Sequence, residues 1–344
     1  MLIEVAQATA AFVFLMVVVV GVHEYGHFLV ARLAGVEVSK FSIGFGPALI
    51  SHTSKRTGIL YALRLIPLGG AVQVKTDGAN SVRSLRLLPK VAFYAAGPFA
   101  NVILAFGMFA TLHATDVIRP IDPVITEFTS PSPAQAAGLA IGDRLLSIDG
   151  FATRTWIDVL LNGAMANPDK PAIVEVERGG KQLSFTLMRD GTRLGLIGHA
   201  QKDPSTLPHA LSLAAQDIRV HLTQIITVPR MLIYYGRNPV SKFSGPVGVA
   251  GAAGTAANSE LPVLQLAILL AGFSCGLAAA NLLPIPIMDG GRIVQAVVER
   301  LFNSATSARI ETFLAYASIA ILLTLLAITT SNDIARALHR PELF

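Results

Sequence analysis

The sequence predicts a polytopic α-helical membrane protein with four transmembrane helices, a membrane-associated β-hairpin or small sheet, and an inserted soluble α/β domain. Three observations predict it. Of 344 residues, 52% are hydrophobic and only 14% charged, against about 25% charged in an average soluble domain, and the mean hydropathy is +0.57. Four stretches, 5–22, 91–115, 261–288 and 312–332, hold no Asp, Glu, Lys or Arg, and each reaches the roughly 17–25 apolar residues a spanning helix needs. Between the second and third, the composition turns polar and rich in turn residues, as a soluble insert would.

The first element, residues 1–34, ends in His23-Glu24-Tyr25-Gly26-His27. On a helix, His23 and His27 are four apart and project from one face, close enough for both imidazoles to hold one Zn²⁺. Glu24 is placed to act as the base that activates water at the metal. Such a polar triplet in a spanning segment is costly and marks function by default. The segment lacks a basic leader region and runs straight into the motif, so it is expected to be retained rather than cleaved as a signal peptide.

The loop 35–90 is basic. From Arg32 to Lys90 there are nine Lys or Arg against Glu37 and Asp77, which places it in the cytoplasm by the positive-inside rule. Both termini and the long segment 116–260 then lie on the outer, periplasmic side, long translocated domains being exempt from that rule. Within the loop, residues 58–75 alternate β-formers and contain Gly69-Gly70, which reads as a hairpin with a Gly-Gly turn. A strand edge there could pair with an extended substrate, as peptide-bond hydrolysis requires; an ordinary cytoplasmic hairpin is the alternative.

The second span is 91–115. Residues 120–192 follow as a separate domain, with Ser132 to Leu139, the run Ile141 to Gly150, and Val174 to Arg178 before Gly179-Gly180. Asp149-Gly150 and Gly179-Gly180 suit tight turns, and 156–166 a short helix. These stretches resemble a single PDZ domain of the permuted, protease-associated bacterial kind. Residues 205–243 then form an amphipathic region, either lying on the outer membrane surface or packed as a core helix.

The third segment, 261–291, runs in the same direction as the first and ends in Asn281-Leu282-Leu283-Pro284-Ile285-Pro286-Ile287-Met288-Asp289-Gly290-Gly291. Two prolines forbid a continuous helix, and irregular backbone at membrane depth is tolerated only where it is buried in protein or lines a wet cavity. At 1.5 Å per residue His23 lies about 25 Å along the first span, near the cytoplasmic edge of the bilayer core. Asp289 arrives at about the same depth, so two histidines, one carboxylate and a water would complete an open catalytic zinc site. The fourth span is 312–332.

The HExxH motif, the stretch Ala96-Gly97-Pro98-Phe99-Ala100-Asn101, and the run Asn281 to Gly291 together resemble the site-2 protease family of intramembrane zinc metalloproteases, and most nearly its bacterial sigma-E-regulating branch. Gly44-Phe45-Gly46-Pro47 and Pro67-Leu68-Gly69-Gly70 extend the likeness; Met288, where the family usually has Leu, is a volume-conserving departure. The resemblance implies that His23, His27 and Asp289 bind zinc, that Glu24 is the general acid/base, and that Asn281 holds the substrate backbone, with Gly69 and Gly70 on the same substrate-binding surface. It also implies an enzyme of the bacterial inner membrane that cuts single-span proteins, such as anti-sigma factors, after another protease has trimmed them.

Other classes are disfavoured. No basic stripe interleaved with aromatics implies nucleic acid, and no phosphate-cradling glycine loop implies a nucleotide. Cys275, the only cysteine, excludes a disulfide framework. His52, His113, His199, His209, His221 and His339 lack a partner at ligand spacing. The alternative functions are a metal transporter, which would spread polar residues along several spans, and a catalytically silent PDZ scaffold, which would have no use for Glu24.

Overall fold

The computed structural model describes residues 2–115, 122–165, 170–188, 194–198, 206–234 and 245–301, together with 316, 319–320, 323–324 and 326–335. The chain divides into two compact units, Met1–Phe109 with Ala215–Leu222 and Phe243–Phe344, and Ala110–Ala214 with Thr223–Lys242.

Helix α1 (Leu2–Leu33) is continuous through the HExxH motif. Strand β1 (Val38–Thr53) and strand β2 (Leu60–Val74) pair antiparallel. The chain reverses at Ser54 to Gly58, where Gly58 N–H donates to the Ser54 carbonyl oxygen at 2.8 Å. Within β2 the chain breaks and makes a second reversal between Leu63 and Gly70, since residues 40–43 pair in rising order with 60–63 and in falling order with 70–73. Gly69, at φ +118, and Gly70 end that break, and the two arms flank 40–43 instead of pairing with each other. Across that break and the one near Gly44, residues 40–43 find partners in both 60–63 and 70–73. The segment 70–74 thus lies beside 40–43. Ala31, Val36, Val38, Ile59, Val82 and Phe93 form a buried cluster that fastens the sheet to the helices.

Helix α2 (Leu87–Ala114) begins a turn earlier than its uncharged stretch. It runs antiparallel to α1: Phe93 meets His27, and Met108 packs against the cluster of Leu15, Met16, Val19 and Val20. Small residues permit the close approach. A Cβ on Gly26 would overlap the Ala96 carbonyl oxygen and come within 2.9 Å of Ala100 Cβ.

The second unit contains β3 (Glu127–Phe128), α3 (Pro133–Ala136), β4 (Arg144–Ile148), β5 (Phe151–Ala152), α4 (Trp156–Met165), β6 (Ala172–Arg178), β7 (Lys181–Leu187) and β8 (Leu196–Ile197). One sheet has the order β5-β4-β6-β7, and β3 pairs with β8. Asp149 and Gly150 (φ 54 and 78), and Gly179 and Gly180 (φ 59 and 77), supply the two consecutive left-handed residues that a two-residue hairpin turn requires. Alternate residues of β6 point inward, so Ala172, Val174 and Val176 join Leu145, Ile148, Val159 and Trp156 in one core. Asp143 is fully buried and is held by Arg178, whose Nε and Nη2 donate to its two oxygens at 2.6 and 2.7 Å.

Helix α5 (Leu207–Tyr234) covers the amphipathic region as far as 234. Its residues 215–222 belong to the first unit, where Ile218 is buried and the His221 ring lies tilted against Phe109, with centroids 5.3 Å apart. At this section the helix is packed rather than surface-lying. Helix α6 (Pro246–Ala257) follows, with Gly245 at its N-cap. Helix α7 (Pro262–Asn281) covers the apolar part of the expected third segment, and after a break at the two prolines α8 (Asp289–Leu301) begins on Asp289 itself. Among the described residues three helices are long and apolar enough to cross a membrane, Val5–Leu33, Leu87–Ala114 and Pro262–Asn281. Of the expected fourth span, residues 316, 319–320, 323–324 and 326–332 are helical, the helix continuing to 335; the rest of 312–332 lies outside the described residues.

Candidate active site

His23 and His27 occupy successive turns of α1, and both are buried. Their Nε2 atoms are 3.2 Å apart. Asp289 Oδ2 lies 3.1 Å from His23 Nε2 and 3.3 Å from His27 Nε2. The carboxylate reaches this point because the prolines stop α7, and α8 starts again with Asp289 in its first turn. An added Cβ on Gly290 or Gly291 would overlap the carbonyl oxygens of Leu282 or Ile285, so the folded-back break needs both glycines.

The donor set fits a metal ion. His27 Nδ1 lies 2.8 Å from the Phe93 carbonyl oxygen. A carbonyl only accepts, so Nδ1 carries the proton and Nε2 presents a lone pair. That lone pair faces a second imidazole nitrogen and a carboxylate oxygen, and Asp289 Oδ2 makes no well-angled hydrogen bond despite its short distances. Converging lone pairs repel unless a cation lies among them. Ligands about 2.0–2.2 Å from one tetrahedral centre are about 3.3–3.6 Å apart, slightly wider than the three separations observed, 3.1–3.3 Å.

Glu24 shares a cavity of about 300 Å³ with these residues; Asn281, Tyr94, Arg292 and the segment 70–72 also line it. The Val72 backbone N–H donates to the Glu24 carboxylate. Gly70 leaves room for this side chain, since a Cβ there would sit 2.6 Å from Glu24 Cγ. Asn281 Nδ2 donates to the Leu277 carbonyl oxygen at 3.0 Å, at the end of α7. Gly69 is not on the cavity wall; a Cβ on it would meet the Phe45 ring at 2.7 Å. Of the expected site residues the structure therefore brings together His23, Glu24, His27, Asp289, Asn281 and Gly70, and leaves Gly69 outside.

Residue-by-residue reading missed several participants. Phe93 and Val72 act through main-chain atoms, which no side-chain pattern reveals. Gly97 lies so close to both imidazoles that a Cβ would stand 2.7 Å from His23 Nε2 and nearer still to His27 Nε2; the small-residue run around it was the available signal. Arg292, one turn after Asp289, lies over the Tyr94 ring at 5.9 Å.

Residues 11–325 match the model of peptidase family M50. The chain belongs to peptidase family M50. Similar M50 relatives include a putative zinc metalloprotease of Agrobacterium fabrum, 32% identical with 94% of each chain covered. Zinc metalloprotease RasP of Geobacillus kaustophilus is 26% identical over 97% of this chain and 99% of its own. Regulator of sigma-E protease RseP of Salmonella typhimurium is 27% identical over 95% and 98%. The M50 model spans the HExxH helix, α2 and the break before Asp289, so the cavity belongs to the shared part of the chain.

Proposed function

We propose that this M50 peptidase is an intramembrane zinc endopeptidase, in which His23, His27 and Asp289 hold Zn²⁺, and Glu24 is the general acid/base. The observation that carries the reading is the convergence of three ligand atoms, mutually 3.1–3.3 Å apart, beside a carboxylate in the same cavity. Bound zinc would polarise the scissile carbonyl and make water more acidic. Glu24, anchored by the Val72 amide, takes the proton from the attacking water and passes it to the leaving nitrogen. Phe93 holds the His27 ring in the tautomer that leaves Nε2 free.

The substrate is read as a single-span membrane protein whose helix unwinds near the cytoplasmic edge. The segment 70–72 walls the cavity and offers backbone groups to an extended chain, and Asn281 holds the substrate backbone at the opposite wall. Anti-sigma factors, cut after a first protease has trimmed them in regulated intramembrane proteolysis, are the substrate class suggested by the relative named regulator of sigma-E protease. Residues 120–192 are read as a single periplasmic PDZ domain acting as a size filter. The topology is four spans in the bacterial inner membrane, with both termini periplasmic. The test is co-expression of candidate anti-sigma factors, trimmed and untrimmed, with wild-type enzyme and Glu24→Gln. Cleavage of the trimmed form by wild type alone supports the reading, and equal cleavage by Glu24→Gln contradicts it.

A further inference from the structure

Helix α2 carries an asparagine with no evident employment. Asn101 is fully buried, and neither its Oδ1 nor its Nδ2 makes a hydrogen bond. Its main chain is engaged, since Ser274 Oγ donates to the Asn101 carbonyl oxygen at 2.9 Å and ties α2 to α7. A primary amide left unsatisfied at membrane depth is costly and calls for an explanation.

A complementary atom is orphaned on the facing helix α1. His23 is also buried, and its Nδ1 has no hydrogen-bond partner. Because His23 Nε2 faces His27 Nε2 and Asp289 Oδ2, metal binding through Nε2 requires the proton to sit on Nδ1. That N–H needs an acceptor, as the equivalent N–H of His27 has one in Phe93. Gly97 lies against His23, and Asn101 follows Gly97 by one helical turn on the same face. Since α1 and α2 are antiparallel, this turn lies toward the N-terminal side of His23, the direction in which helix side chains lean.

We propose that Asn101 is a positioning residue for the metal site: its Oδ1 accepts the Nδ1–H of His23, directly or through one bridging water. The two imidazoles are then oriented from the same helix, His27 by a main-chain carbonyl and His23 by a side-chain amide one turn on each side of Gly97. Outer partners of this kind fix the tautomer and raise the basicity of the ligating nitrogen. The inference rests on the reading of His23 as a zinc ligand.

The test measures zinc affinity of the full-length protein in detergent by chelator competition, and the absorption spectrum of its cobalt-substituted form. Asn101→Leu should weaken zinc by about tenfold or more and alter the cobalt spectrum. Ser274→Ala, which removes only the tie to the Asn101 main chain, should leave both unchanged. Wild-type affinity and spectrum in Asn101→Leu overturn the proposal. Should that variant not fold, Asn101→Ser and Asn101→Ala decide the matter: the serine keeps an acceptor and should bind zinc more tightly, and equal affinity overturns the proposal. Failure of the wild type to bind zinc would defeat the zinc reading as well, whereas zinc-loaded wild type with insensitive Asn101 variants defeats this inference alone.

Discussion

The carbonyl oxygen of Phe93 on α2 accepts the Nδ1 proton of His27 on α1 at 2.8 Å, so the orientation of one candidate metal ligand is set by the main chain of the neighbouring helix. Main-chain atoms survive side-chain substitution. Phe93→Leu should therefore keep zinc bound, with at most a modest loss from altered packing, as measured by metal analysis of purified protein.

Gly97 should behave in the opposite way. An added methyl would press on both imidazoles, and neither α1 nor the carboxylate opposite can retreat without opening the triad. Gly97→Ala is expected to reduce zinc affinity at least tenfold, the scale seen when a metal site's supporting contacts are lost. Chelator competition against wild type measures it, and unchanged affinity would mean that the helices separate freely here.

Glu24→Gln separates chemistry from binding. The amide keeps the shape and a partner for the Val72 N–H is retained through its carbonyl oxygen, but it cannot take a proton. Cleavage of a membrane substrate should fall by about 10²–10⁴-fold or more, while zinc content stays at the wild-type level. A normal cleavage rate would remove Glu24 from the mechanism.

In the second unit, burial alone would push the Asp143 carboxyl up, but the hydrogen bonds from Arg178 and the Ala140 amide bring it below its ordinary value of 3.8. A lowered folded-state value means that this contribution to stability is complete above about pH 4 and is lost as pH falls through the lower folded value. Arg178→Ala leaves the buried carboxylate without its cation. The Tm of the unit should drop by several degrees at pH 7, and acid unfolding should move to higher pH. Trp156, the single tryptophan of the chain and part of this core, reports the transition by fluorescence.

Removal of residues 120–192 tests the filter reading. A filter predicts that the shortened enzyme still cleaves a trimmed substrate and now also cleaves an untrimmed one. A receptor for chain ends predicts weaker cleavage of the trimmed form. Comparing both substrates in intact and shortened enzyme distinguishes the two, and loss of zinc would contradict both.

The parts of the site that depend on spacing within one element were legible in the sequence. His23 and His27 stand four apart on a helix, and that alone puts both nitrogens on one face. Asp289 was reachable by counting depth along two apolar segments, and the irregular backbone expected after the prolines is there up to Met288, with Asp289 itself opening α8. Gly69-Gly70 does end a reversal, as a glycine pair signals, but Gly70 also serves close approach to Glu24, which no turn signal reveals, and a separate reversal falls at Ser54 to Gly58. Phe93, Val72 and Asn101 were illegible as participants for a common reason: their roles depend on which helices and strands lie side by side.

The central claim is a metal held by one aspartate and two histidines, and metal content tests it most directly. Purified wild-type protein should carry one zinc per chain, and His23→Ala and Asp289→Ala should each lose it while retaining helical content by circular dichroism. Full zinc occupancy in both variants would contradict the account.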